Sequence, residues 1–117
     1  MATDQDPRVL LDAERRAALG RLAALERDFT GIVEAAGSAN ADDEHDPEGA
    51  TIAFERQHVA ALLALAREQL SQVDAALRRL DDGNYGTCQH CGEPIPAERL
   101  AARPTASTCV GCASARR

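Results

Sequence analysis

Two Cys-x-x-Cys pairs, Cys88-Gln89-His90-Cys91 and Cys109-Val110-Gly111-Cys112, constrain this chain more than any other feature, and they hold all four of its cysteines. Two intervening residues let a tight turn aim both sulfurs at one ion, leaving backbone N–H groups to stabilise the thiolates. Residues 92–108 separate the pairs, a spacing within the range of structural zinc ribbons and fingers. Gly92 and Gly111 supply the backbone freedom such turns need. Four thiolates close the coordination shell, so one structural Zn²⁺ is expected and no open position remains for a metal-activated water. A lobe of this size is too small to fold on its own core, and zinc binding supplies the missing free energy, on the order of 10 kcal/mol. His90 is read as a solvated residue of the turn. A thioredoxin-like centre would need one such pair within a βαβ pattern, which is not found here.

The remaining sequence favours long helices. There is no Trp, one Tyr and two Phe, so the apolar residues are mostly Ala, Leu and Val, which suit a narrow helix seam better than a thick core. Leu11, Ala18, Leu22, Leu25, Phe29, Ile32 and Ala36 follow spacings of three and four, with Arg15 in one seam position. Ile52, Val59, Leu63, Ala66, Leu70, Val73, Leu77 and Leu80 repeat the rule, with Arg56 the polar intruder. Each run predicts a helix of roughly 26–30 residues, about 40–45 Å long. Gly20 and Gly31 lie inside the first run, where they mark either a close helix approach or local flexibility.

The predicted fold is therefore mainly α: a long antiparallel two-helix coiled-coil hairpin with a small four-cysteine zinc-finger lobe and a short C-terminal helix. Residues 1–7 read as a mobile tail, 8–82 as the coiled-coil arm with a tip loop over 37–50, and 83–117 as the zinc-finger lobe. Asp81-Asp82-Gly83-Asn84 ends the second helix with residues that tolerate left-handed backbone. Pro96 opens a short helix over 97–102 that Pro104 closes, and Ser107 or Thr108 is placed to cap the last one.

The tip loop carries Asp42, Asp43, Glu44, Asp46 and Glu48. Such runs are usually solvated turns, but at the end of a stiff arm they would suit a cavity lined with cations or holding a metal ion. The net charge of −6 opposes direct binding to a phosphate backbone, so specific DNA or RNA binding is not expected. No apolar stretch is long enough for a membrane span, and Asp4 and Asp6 stand where a secretion signal would be basic and apolar. A cytoplasmic protein with reduced thiols is expected.

Gly83-Asn84-Tyr85-Gly86-Thr87-Cys88, Cys91-Gly92-Glu93-Pro94-Ile95-Pro96, Arg99-Leu100, Ala102-Arg103-Pro104 and Cys109-Val110-Gly111-Cys112 together resemble the zinc-finger signature of the DksA/TraR family of transcription factors. The arm resembles the family in architecture more than in sequence. The resemblance implies Cys88, Cys91, Cys109 and Cys112 as zinc ligands, and a hairpin that enters the secondary channel of RNA polymerase. Its tip residues Asp43, Asp46, Glu48 and Ala50 would lie near the catalytic Mg²⁺, and the protein would act as a monomer with no enzymatic activity. Some relatives work with the alarmone guanosine tetraphosphate, for which Arg103 is the candidate contact; alarmone use here is open. The tip departs from the family's Asp-x-x-Asp-x-Ala pattern. Anchored on Ala50 it reads His45-x-x-Glu48-x-Ala50, and anchored on Asp43 and Asp46 it places Glu48 where Ala belongs.

Two readings from other classes stand beside this one. In the first, a zinc-stapled coiled-coil adaptor binds another protein through its seam or its Arg-bearing faces. In the second, a thiol redox sensor releases zinc on oxidation.

Overall fold

A computed structural model of the chain describes residues 6–39 and 47–115, with side chains over 6–35 and 50–115. Four helices follow in order: α1 (Pro7–Ala39), α2 (Pro47–Asp82), α3 (Ala97–Ala102) and α4 (Val110–Ala115). The fold is mainly helical, with two long helices packed against each other and the cysteines grouped near the C-terminus, as the sequence predicted. Both long helices exceed the length that the apolar periodicity implies, α1 with 33 residues and α2 with 36. The extra length lies in the range read as the tip loop, since α1 continues through Gly37 and Ser38 and α2 begins at Pro47. Of the tip residues, Asp43 and Asp46 lie outside the described residues, as does the side chain of Glu48. Ala50 is an exposed residue of α2.

The chain divides into two compact units, one of residues 1–16 with 70–117 and the other of residues 17–69. In the first unit, α1 starts one residue earlier than the periodicity suggested. Pro7 takes the first helical position, where its missing N–H costs nothing, and the Asp6 carboxylate accepts a hydrogen bond from the Arg8 N–H at 3.0 Å. Arg8 pairs with Asp81 and Arg15 with Asp74, an order that runs α1 and α2 antiparallel here. Arg15 thus holds its seam position by reaching a carboxylate at 2.8 Å, not by burying its charge. Leu11, Val73 and Ala76 are buried as one cluster, against which Leu77, Leu80 and Tyr85 pack. Leu11 has no exposed surface.

α2 ends as its sequence suggested. Gly83 adopts a φ of 84°, its N–H donates to the Leu80 carbonyl at 3.2 Å, and the Asn84 N–H donates to the Arg79 carbonyl at 2.9 Å. This pair of bonds is the Schellman closure, which satisfies two otherwise orphaned helix carbonyls.

In the second unit the helices also run antiparallel, with Arg21 donating to Gln69 at 2.7 Å and Arg67 facing Glu26 at 3.8 Å. Ala18, Val59, Leu63 and Ala66 are buried, while Leu22, Leu25, Phe29, Ile32 and Ile52 are half-buried. Arg56, read as a seam position, is exposed. A Cβ built on Gly20 or on Gly31 would meet nothing within 4 Å, so neither glycine serves a close helix approach.

Candidate metal centre

The site begins where α2 stops. After Gly83 the chain makes a short antiparallel bridge between Thr87 and Pro94, and the Ile95 N–H donates to the Gly86 carbonyl at 2.7 Å. Gly86, at a φ of 85°, and Gly92, at 80°, supply the left-handed turns on either side of the first cysteine pair. Within that turn the Gly92 N–H reaches the Cys88 carbonyl at 2.9 Å and the Cys88 N–H reaches the Glu93 carbonyl at 2.8 Å. The loop is therefore fixed by its own backbone.

The second pair is held by α3 and α4. α3 spans the six residues that Pro96 and Pro104 were expected to bracket, and Arg99 on it donates through Nε to the Thr108 carbonyl at 2.9 Å, holding the irregular segment that leads into Cys109. The Gln89 N–H donates to the Ser107 carbonyl at 2.8 Å and so ties the first turn to the same segment. Neither Ser107 nor Thr108 caps α4. That position belongs to Cys109, whose Sγ accepts from the Cys112 N–H at 3.4 Å and whose carbonyl accepts from the Ala113 N–H at 3.0 Å. In the first turn the Cys91 N–H likewise approaches the Cys88 Sγ, at 3.5 Å.

The two turns bring all four sulfurs within 4.8 Å of one another, the only such group of metal-ligating side chains among the described residues. Cys91 and Cys109, from different pairs, are 3.9 Å apart. A tetrahedral zinc with Zn–S bonds near 2.3 Å requires S–S edges of about 3.8 Å. The cluster thus matches one zinc in both its size and its donor chemistry. Without metal, the four thiols share protons unequally. The Cys91 N–H above all draws the Cys88 thiol down to about 5, while the hydrogen bond with Cys109, and then burial, push Cys112 up to about 12. Cys88 is buried at 1% exposure and Cys91 is exposed, so the ion would sit at the edge of the lobe with one side toward solvent. His90 is exposed beside the cluster and outside it.

A second feature adjoins the zinc lobe. Arg79, Arg99 and Arg103 line a cleft of about 420 Å³ together with Gln72, Thr105 and Thr108. Arg79 is only 9% exposed, and its guanidinium donates to the Thr105 carbonyl at 3.4 Å with no ion pair among the described residues. Burial, the largest cause, lowers its pKa. Outside the cleft, Tyr85 donates to the Pro104 carbonyl at 2.8 Å. Sequence reasoning named Arg103 alone. The i, i+4 spacing of Arg99 and Arg103 was visible, but the approach of Arg79 depends on where the lobe folds back on α2.

Residues 83–117 match the prokaryotic DksA/TraR C4-type zinc finger. The chain is 40% identical over 72 residues to the uncharacterized protein YteA of Bacillus subtilis. It is 54% identical over 44 residues to the RNA polymerase-binding transcription factor DksA of Caulobacter vibrioides. These matches cover 62% and 38% of this chain but only 30% and 31% of the relatives. Similarity to the solved structure of transcription factor DksA2 from Pseudomonas aeruginosa extends further, covering 97% of this chain and 85% of that one at 29% identity and a TM-score of 0.56. Residues 83–117 thus carry a DksA/TraR C4-type zinc finger, and the fold of the paired helices with it is similar to that of DksA2.

Proposed function

We propose that this protein is a transcription regulator that binds RNA polymerase and inserts the 37–50 end of its helix pair into the secondary channel. The likeness to DksA2 across nearly the whole chain carries this reading, because it joins the zinc lobe to the paired helices rather than matching the finger alone. Asp43, Asp46, Glu48 and Ala50 are the residues assigned to the channel, and Cys88, Cys91, Cys109 and Cys112 to the zinc that holds the lobe together. The zinc has no catalytic part in this scheme, since four thiolates leave it no open position. The net charge of −6 favours action through a protein rather than by reading DNA. A cytoplasmic monomer without enzymatic activity suffices for the task. Among the described residues no helix is long and apolar enough to cross a membrane.

A photoreactive residue at position 46 or 48 tests the insertion directly, read beside in vitro transcription with purified polymerase. Crosslinks to the channel walls are expected. Crosslinks confined to other surfaces, or none, would favour the adaptor reading.

The alarmone question narrows to the arginine cleft, where Arg103 stands beside Arg79 and Arg99. The three cations suit a polyphosphate. Arg103→Ala should abolish any alarmone-dependent change in transcription while leaving zinc content intact, and an unchanged alarmone response would remove Arg103 from the site.

A further inference from the structure

The whole net charge of the chain resides in one of its two units. Residues 17–69 contain ten carboxylates and four arginines, whereas residues 1–16 and 70–117 contain nine of each. Within the charged unit, α1 and α2 leave a groove of about 460 Å³. Ile32, Ile52, Phe54 and Val59 supply its apolar lining. Phe54 is 73% exposed, an unusual state for one of only three aromatic side chains in the sequence. Gly31 accounts for the depth of the groove, since space stands open where its side chain would be.

The groove is also charged. Asp28 lines it from α1 and Glu55 from α2, and neither has an ion pair among the described residues. No arginine lines it, and His58 is the one basic side chain in its wall against the two carboxylates. An apolar slot edged by unpaired carboxylates, in the unit that carries the entire net negative charge, is complementary to a helix with aliphatic residues on one face and arginine or lysine beside them. A second copy of this chain fits poorly, because its matching surface would bring Asp28 and Glu55 against their own kind.

We propose that the groove between residues 28–35 of α1 and 52–59 of α2 is a docking site for a cationic amphipathic helix of a partner protein. One aliphatic or aromatic side chain of that helix enters over Gly31 and packs on Phe54, and flanking cations pair with Asp28 and Glu55. The site goes beyond the channel reading, which concerns residues 43–50. If the polymerase reading holds, the docked helix belongs to the polymerase.

The test uses the full zinc-loaded chain, labelled with ¹⁵N, and a synthetic helical peptide of Leu, Ala and Arg with the leucines on one face. A control peptide carries Glu in place of every Arg. The Arg peptide should shift amide resonances of residues 28–35 and 52–59, and the Glu peptide should shift none. Gly31→Leu places a side chain in the slot from a Cβ position that meets nothing within 4 Å, and should weaken binding at least about tenfold with helicity unchanged. Phe54→Ser, at an exposed position, should do the same with helicity and zinc content unchanged. Shifts located elsewhere, equal binding of the Glu peptide, or undiminished affinity in both variants would overturn the proposal. A second copy in the groove, seen as a dimer by sedimentation, would overturn it as well. These measurements contain no polymerase, so failure of the channel reading leaves their outcome unaffected.

Discussion

Tyr85 makes one hydrogen bond with a measurable consequence. Its hydroxyl donates to the Pro104 carbonyl at 2.8 Å while its ring packs on the Leu11 cluster, so one side chain fastens the zinc lobe to the ends of both long helices. Tyr85→Phe keeps the ring and should cost about 1 kcal/mol in denaturant unfolding. Burial raises the Tyr85 pKa, so the folded chain favours the neutral phenol. The stabilisation that this shift provides is complete below the unfolded value near 10 and is lost as pH rises through the folded value. The gap between wild type and Tyr85→Phe should therefore narrow in unfolding curves taken at increasingly alkaline pH. The cysteines were legible from spacing alone, because ligand geometry is local to each turn. Arg79 was not, because its burial beside Thr105 depends on a contact between residues 26 positions apart.

Helix pairs in this chain were legible from the three–four pattern of Leu, Val and Ala, and the structure buries much of that seam. The C-terminal end of α2 was legible too, since only glycine adopts a φ of 84° at little cost. Other ends were harder to place. Gly37 and Ser38 look like breakers but sit inside α1, where two weak helix formers are tolerated after a long regular run. The cap of α4 was misplaced because a cysteine sulfur, not a hydroxyl, takes the N–H. At this scale the pairing of α1 on α2 depends most on Leu11, which is wholly enclosed with Val73 and Ala76. Leu11→Ala should destabilise the chain by about 2–5 kcal/mol in thermal or denaturant unfolding. Leu19→Ala, at a position 38% exposed on the same helix, should cost less.

The molecule as a whole separates its two chemistries by residue range. Residues 1–16 with 70–117 hold the cysteines and balance their formal charges, and residues 17–69 hold the entire excess of carboxylates. Association with a cationic partner through the second range should slow steeply as salt rises, with most of the effect in the on-rate, as stopped-flow measurements at about 50 and about 300 mM salt would show. Metal removal should act on the first range. A chelator, or Cys91→Ser, should strip the zinc and collapse the circular dichroism of α3 and α4, while the apolar seam keeps much of the long-helix signal.

One sulfur gives that last response a direction. Cys109 is positioned both to grip the ion and to accept the N–H that begins α4, so the final helix winds on the same atom that binds metal. An oxidant or an alkylating electrophile that captured this sulfur would fray the C-terminal turn in the same event, and a fluorophore placed beyond α4 would report occupancy of the centre without touching it.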